Sequence, residues 1–273
     1  MKVSGYIPTF NNERTIADAI NSLKQQSYPI DDIFVIDDGS IDQTASIAQG
    51  CGIEVHLNSK NMGRGYTRSR AMELAKHEYV VCCDATNELD LNFVKNGVVG
   101  LRLDNISSVF GRISSKKTRG IVNKWRSIHL FKENVDFKSG FQKSNLMITY
   151  GAIMRKSHIM EVGNFDPELV HSEDEEITER LLHNGYTLLS NHDLKVYCNI
   201  DNTLIEVLER YWRWYIGKEQ KMTFKDYLHS IKCSIKPMIH EDLKAGYWGC
   251  ILISLLCPHY SYFKTLTYKR MNQ

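Results

Sequence analysis

The chain reads as an α/β protein built on a mostly parallel sheet, with a helical extension at its C-terminal end. Three observations carry this. Short apolar runs alternate with helix-period segments through the first third, polar clusters follow the apolar runs, and residues 205–273 are helix-like and rich in aromatics. In order, Val3 to Pro8 is a β-type run closed by the turn Pro8-Thr9-Phe10-Asn11-Asn12, with Asn12 placed as an N-cap. Ile16, Ala19, Ile20 and Leu23 then fall on one helical face that ends near Tyr28-Pro29. Ile33 to Ile36 is a buried-type strand stopped by Asp37-Asp38-Gly39-Ser40. A helix near Thr44–Gln49, a strand over Ile53–Leu57, a helix over Arg64–Ala75 and a strand over Tyr79–Cys83 ending at Asp84 follow. Helical stretches of this length between strands imply βαβ crossovers and a mostly parallel sheet. Ligands of such sheets sit at the carboxyl ends of the strands, where Pro8-Thr9, Asp37-Asp38 and Asp84 fall.

From about 100 to 145 the periodicity weakens, and residues 112–143 hold nine Lys or Arg against Glu133 and Asp136. This stretch is either a solvated basic loop or a surface that attracts an anionic acceptor. A helix opening at Ser172 and closing at Gly185 comes next.

Composition narrows the function. The 273 residues carry 34 Lys and Arg against 32 Asp and Glu, too balanced for a dedicated nucleic-acid binder, so no nucleic-acid partner is expected. The seven cysteines include no Cys-x-x-Cys pair, which leaves a thiolate zinc site unsupported and makes a reducing compartment the default. Asn11, Asn12, Glu13 and Arg14 interrupt any signal-peptide core, and the greasy run Trp248 to Cys257 is too short to span a bilayer. A cytoplasmic chain, free or peripheral on a membrane, is expected. Gly63-Arg64-Gly65 lacks a third glycine and does not directly follow a strand, which disfavours a dinucleotide fingerprint.

Each carboxylate cluster has a plain reading and a chemical one. Asp38 caps a turn or accepts a ring N–H, which uracil, thymine and guanine offer and cytosine does not. Asp84 ends a strand or binds Mg²⁺ or Mn²⁺ on a diphosphate. In Ser172-Glu173-Asp174-Glu175, Ser172 and Glu175 have capping-box spacing, and a carboxylate of this group facing the cleft is a candidate general base.

The order of these clusters resembles glycosyltransferase family 2, the inverting enzymes of GT-A fold. The likeness runs over roughly residues 2–200. It rests on Ile7-Pro8-Thr9-Phe10-Asn11-Asn12-Glu13, Ile36-Asp37-Asp38-Gly39-Ser40, Asn61-Met62-Gly63, Arg68-Ser69-Arg70 and Tyr79 to Asp84. Val162-Gly163-Asn164-Phe165-Asp166, Ser172-Glu173-Asp174 through Arg180-Leu181, and Gly185-Tyr186 complete it. The resemblance implies a GT-A domain over 1–204, its nucleotide-binding half about 1–100 and its acceptor half about 101–204. Residues 205–273 form a separate helical region.

It also implies roles. Pro8 and Thr9 line the nucleotide pocket, Asp38 binds the base, and Arg68 contacts base or diphosphate. Asp84 matches the first Asp of the Asp-x-Asp metal motif, and Asp174 matches the catalytic base. The implied partners are a nucleotide-sugar donor, UDP-linked by preference, and a saccharide or lipid-linked acceptor. The implied cofactor is a divalent metal, Mg or Mn. Two positions depart from the pattern. Thr86 stands in place of the second metal-motif Asp, and a histidine the family often carries falls near Cys198 or Asn199. Loss of two ligands weakens the metal site, so a weakly active or scaffold homologue stays open. A polyprenyl-phosphate acceptor, already ionised, stays open too.

Residues 205–273 hold eleven Lys and Arg against six Asp and Glu, and three of the four tryptophans. Arg210-Tyr211-Trp212-Arg213-Trp214-Tyr215 interleaves cations with amphipathic rings, which suits either an anionic membrane interface or a packed helical subdomain. Arg210-x-x-Arg213-Trp214 is similar to the Gln-x-x-Arg-Trp of processive synthases but lacks the Gln.

Overall fold

The computed structural model describes residues 1–116, 119–216 and 222–271. Lys117 of the basic stretch, residues 217–221 and residues 272–273 of the tail lie outside them. The chain divides into two compact units, Met1–Lys116 with Phe137–Ile200, and Lys117–Asp136 with Asp201–Gln273.

The first unit opens with β1 (Val3–Thr9), α1 (Ile16–Lys24), β2 (Asp32–Asp37), α2 (Thr44–Gly50), β3 (Glu54–Leu57), α3 (Arg64–Leu74) and β4 (Tyr79–Cys83). These strands pair in parallel in the order β3-β2-β1-β4, with Pro8 beside Ile36 and Tyr6 beside Cys82. The chain therefore winds outward from β1 on one side and returns on its other side at β4. A crevice opens at the carboxyl ends of strands where the winding reverses in this way. Ile16, Ala19, Ile20 and Leu23 are all buried on α1, the face their spacing marks. Asn12 serves the entry to α1 through its carbonyl, which accepts from the amides of Thr15 and Ile16. Its side-chain oxygen faces Thr9 and Phe10.

Beyond β4 the sheet is mixed. β5 (Asn87–Leu89), α4 (Phe93–Gly97) and β6 (Ile106–Ser115) follow, and β7 (Phe141–Ser144), β8 (Gly151–Arg155), α6 (Lys156–Glu161), α7 (Glu173–His183) and β9 (Thr187–Cys198) complete the unit, with α5 belonging to the second unit. β8 runs antiparallel to β4 and β6, while β9 lies parallel to β6. One core cluster gathers Tyr6, Phe34, Met72, Cys82, Met154, Phe165 and Leu181 from both halves of this sheet. The basic stretch 112–143 is not one loop: it supplies the end of β6, a helix of the second unit, and β7.

The second unit holds α5 (Gly120–His129), α8 (Leu204–Ile216), α9 (Phe224–Cys233), a π-helical turn over Ser234–Ile239, α10 (His240–Lys244) and α11 (Trp248–Met271). The Thr223 side chain and Asp226 form a reciprocal capping box that starts α9. Buried polar groups tie the helices. Trp125 Nε1 donates to Ser254 Oγ at 2.8 Å, Ser254 Oγ donates to Asp242 Oδ2 at 2.7 Å, and His129 Nε2 lies 2.7 Å from Asp242 Oδ1. No helix among the described residues is long and apolar enough to cross a membrane.

Candidate active site

The site is built on the crevice where β1, β2 and β4 end. At the end of β1, Pro8 is half-buried and Thr9 is buried, its hydroxyl donating to Asn12 Oδ1 at 3.1 Å. The Thr9 carbonyl accepts the Asp38 amide at 2.8 Å, so the ends of β1 and β2 are joined. Gly39 has φ +79°, and a Cβ there would lie 2.6 Å from the Lys60 carbonyl carbon. Only glycine lets the 58–63 loop lie this close.

Asp38 organises that loop. Its Oδ1 accepts from Asn58 Nδ2 at 2.7 Å and the Met62 amide at 2.9 Å, and its Oδ2 accepts the Gly63 amide at 2.9 Å. A carboxylate offers about four acceptor positions, and protein donors take three of those on Asp38. Arg70 buttresses the arrangement by donating to Asn58 Oδ1 at 2.6 Å. The loop then enters α3, where a Cβ on Gly65 would lie 2.0 Å from the Asp166 carbonyl oxygen.

Arg68, on α3, was expected at the donor itself; the structure buries it. Only 3% of its side chain is exposed. Nη1 faces Tyr6 Oη at 3.4 Å and Cys82 Sγ at 2.9 Å, the register partners of β1 and β4. Nη2 donates to Asp84 Oδ1 and Nε to Glu173 Oε1, both at 3.0 Å. Each of the three guanidinium nitrogens of Arg68 thus faces a protein acceptor, and its partner Asp84 is the more exposed of the pair.

Helix α7 supplies the other carboxylates. Ser172 takes a left-handed conformation, φ 62°, and makes no side-chain capping bond, so the capping box suggested by Ser172 and Glu175 does not form. The four acids of the first turn still complement the helix dipole, and two have further partners. Glu173 is buried on Arg68. Burial raises its pKa, but Arg68 and then Arg64 outweigh that effect and hold it below the ordinary glutamate value. Asp174 is half-buried and accepts from Thr149, the hydroxyl reaching Oδ1 at 2.6 Å and the amide reaching Oδ2 at 3.2 Å. Burial first, and the neighbouring Glu173 charge second, push Asp174 up to about 7. A carboxyl poised there exchanges protons near neutrality, as a general base must.

Thr149 and Tyr150 join the two ends of this site. Thr149 holds Asp174, and the Tyr150 carbonyl accepts the Asp84 amide at 3.3 Å and Asn87 Nδ2 at 3.1 Å. The sequence reading did not single out Thr149, Asn58, Tyr6 or Cys82. The contacts that draw Thr149 to Asp174, Asn58 to Asp38 and Tyr6 to Arg68 span 20 or more residues of chain, and nothing local marks them. Cys82 carries no signal beyond its apolar strand.

One carboxylate at the end of β4, Asp84, is available as a ligand for a divalent cation. Asp84 is 29% exposed and has one oxygen on Arg68. Thr86 brings no carboxylate, and its carbonyl accepts the Asn199 amide at 2.9 Å, so the two departures from the metal pattern are neighbours. Glu88 pairs with Lys116, and Asp90 faces the Asn92 amide and Tyr197. Among the described residues no group of three His, Cys, Asp or Glu could hold a metal. This donor set fits Mg²⁺ or Mn²⁺ arriving on phosphate oxygens, which needs only one or two carboxylates.

The fold is that of a GT-A transferase, and comparison with known proteins agrees. The model for "Glycosyl transferase family 2" matches residues 4–163, and the chain belongs to that family; it is a glycosyltransferase. Glycosyltransferase AglE of Haloferax volcanii is 24% identical over 80% of this chain and 72% of its own length. Poly-beta-1,6-N-acetyl-D-glucosamine synthase of Staphylococcus epidermidis is 23% identical over 93% of this chain, which spans 64% of that protein. Among solved structures, Staphylococcus aureus TarS 1-349 in complex with UDP-GlcNAc is similar with TM-score 0.59 and 19% identity. That match covers 96% of this chain and 73% of TarS 1-349. Mannosyltransferase PcManGT of Pyrobaculum calidifontis, in complex with GDP-Man and Mn²⁺, is similar with TM-score 0.60 and 16% identity, over 94% of this chain and 73% of the other.

Proposed function

We infer that this glycosyltransferase moves a sugar, with inversion, from a nucleotide-diphospho-sugar to a hydroxyl of a saccharide or lipid-linked acceptor. The observation that carries the reading is Asp174, a partly open carboxylate fixed by Thr149 and titrating near neutrality. Asp174 takes the acceptor proton as the hydroxyl oxygen forms its bond to the anomeric carbon, while the bond to the diphosphate oxygen breaks on the opposite face. Attack from that side inverts the anomeric centre.

Pro8, Thr9 and Asp38 hold the nucleoside. The remaining acceptor position on Asp38 suits N3–H of uracil, and a UDP-sugar is favoured. Guanine also offers a ring N–H; the neighbours TarS and PcManGT were crystallised with UDP-GlcNAc and GDP-Man. Asp84 is the residue that would hold Mg²⁺ or Mn²⁺, whose chemistry is to neutralise charge on the departing diphosphate. Arg68 keeps Asp84 and Glu173 in place. A second reading, a nucleotide binder with slow turnover, draws on Thr86 standing where the family pattern has a second Asp.

Calorimetry with UDP, GDP and dTDP, with and without Mn²⁺, tests the reading alongside an assay of sugar release from the matching donor. UDP is expected to bind at least tenfold more tightly than the others, with metal-enhanced affinity and measurable sugar release. Metal-independent binding without sugar release favours the second reading, and a folded protein that binds none of the three removes both.

A further inference from the structure

The second unit carries two faces of exposed apolar side chains among the described residues. On the helical run from α9 through α10, Leu228, Ile231, Ile235, Ile239 and Leu243 line one groove along a single face. Leu228 and Ile235 are 52% and 53% exposed. On α11, Trp248, Leu252, Leu255, Phe263 and Leu266 share a helical face, and Trp248 and Leu252 are 71% and 64% exposed. The opposite face of α11 holds the buried Cys250, Ser254, Cys257, Ser261 and Thr265. At 1.5 Å per residue the stripe from Trp248 to Leu266 extends about 27 Å. Isolated exposed leucines are ordinary; a groove on one helical run and a stripe on another, the latter interrupted by His259 between Leu255 and Phe263, mark an interaction surface in so small a unit.

Charge identifies the partner. Lys232 and Lys236 line the first groove together with the aliphatic residues, and Lys225 and Lys244 are exposed at its ends. The acids of the same run are turned to other work. Asp226 caps α9, Asp242 is buried against His129 and Ser254, and Glu241 lies 3.6 Å from His129. Residues 248–273 contain no Asp or Glu at all. A second copy docked symmetrically on this groove would face lysines with lysines, which costs energy. A plane of anionic headgroups over an acyl boundary matches both features at once: apolar side chains and Trp enter the boundary, and the lysines meet phosphates.

We propose that the exposed faces of the helices at 224–244 and 248–266 are a docking surface for an anionic phospholipid bilayer, on which the chain lies without spanning it. The inference rests on the second unit alone and does not depend on the transfer chemistry.

The full chain is tested by co-sedimentation with vesicles of phosphatidylcholine alone and of phosphatidylcholine with equal phosphatidylglycerol. The bound fraction is expected to be about tenfold higher on the anionic vesicles and to fall in 0.5 M salt. Trp248→Ser with Leu252→Ser, and separately Ile235→Ser with Leu243→Ser, are expected to reduce it at least fivefold. Lys232→Glu with Lys236→Glu is expected to erase the preference for anionic lipid. Brominated lipids give a readout on the unaltered chain, whose tryptophan fluorescence they should quench. Equal sedimentation of wild type and apolar variants, or absence of quenching, overturns the proposal. So does a wild-type dimer that ignores vesicles and becomes monomeric in these variants, which would assign the faces to a second copy.

Discussion

Thr149 grips both oxygens of Asp174, with its hydroxyl on Oδ1 at 2.6 Å and its amide on Oδ2 at 3.2 Å. Both bonds favour the ionised carboxylate and fix its direction. Thr149→Val keeps the shape and removes the hydroxyl. It is expected to lower kcat at neutral pH about tenfold and to move the acid limb of the pH profile upward, with donor affinity unchanged. Thr149→Ser should restore both. A merely structural Thr149 would leave the pH profile where it was.

Removal of the base itself is the more severe change. Asp174→Asn keeps the size of the side chain and deletes its basicity, and general-base catalysis contributes roughly 10²–10⁴-fold. Steady-state assays are expected to show kcat reduced by that order while calorimetry finds nucleotide affinity within about threefold. Undiminished turnover would instead point to an acceptor that is already ionised, such as a polyprenyl phosphate.

The same carboxylate sets two opposite pH dependences. Turnover needs it ionised, so kcat/KM is expected to rise with pH to half its plateau near 7. Stability runs the other way. Its folded pKa lies above the unfolded value of about 3.9, so its contribution to folding is full below that value and is lost as pH rises through about 7. The melting temperature of Asp174→Asn relative to wild type is therefore expected to climb by several degrees between pH 5 and pH 8. Glu173 has the opposite sign, its pKa being lowered, and supports folding above its unfolded value, an effect lost as pH falls.

Much of the fold was legible because its strands announce themselves. Ile33–Ile36 and Tyr79–Cys83 are unbroken apolar runs closed by carboxylates, and the structure has β2 and β4 there. β6 was not legible. Ser107 and Ser108 are wholly buried in it, and a Cβ on Gly111 would lie 2.5 Å from the Leu194 carbonyl oxygen, so packing rather than side-chain type makes this a strand. The site divides in the same way. Asp38 and Asp84 stand out because carboxylates that close apolar runs are conspicuous, whereas Asp174, inside an acidic run, is marked only by the family resemblance. Thr149 and Asn58 acquire meaning only when the fold brings 25 and 20 residues of separation to hydrogen-bond distance. Spacing also misled at Ser172, where a left-handed backbone replaces the capping box expected with Glu175, while Glu173 and Asp174 face Arg68 and Thr149.

Arg68 is expected to dominate the stability of the first unit. Its guanidinium, 3% exposed, faces Asp84, Glu173, Tyr6 and Cys82, and Glu173 is only 2% exposed. Breaking a buried pair by removing one member costs about 3–5 kcal/mol, because the remaining charge is left unpaired. Arg68→Ala is expected to lower the melting temperature by roughly 6–20 °C. The double change Arg68→Ala with Glu173→Ala should recover part of that loss, since the stranded carboxylate is gone. Calorimetric scans of the two variants check this directly.

Thr86 offers a gain-of-function test of the metal position. Asp84 stands two residues before it, with an oxygen already on Arg68, and the Thr86 carbonyl is tied to the Asn199 amide, so the backbone here is fixed. The Thr86 side chain is half-buried, and an Asp there adds a second hard oxygen ligand without moving the strand. It also adds negative charge beside Asp84, which favours a cation and disfavours a bare diphosphate. Thr86→Asp is therefore expected to tighten Mn²⁺ binding in the presence of UDP by about tenfold and to weaken UDP binding in chelator. Titrations of Mn²⁺ into the UDP complex and of UDP into the chelated protein read the two effects separately. If neither moves, Asp84 and position 86 do not share a cation, and the assignment of Asp84 to the metal fails.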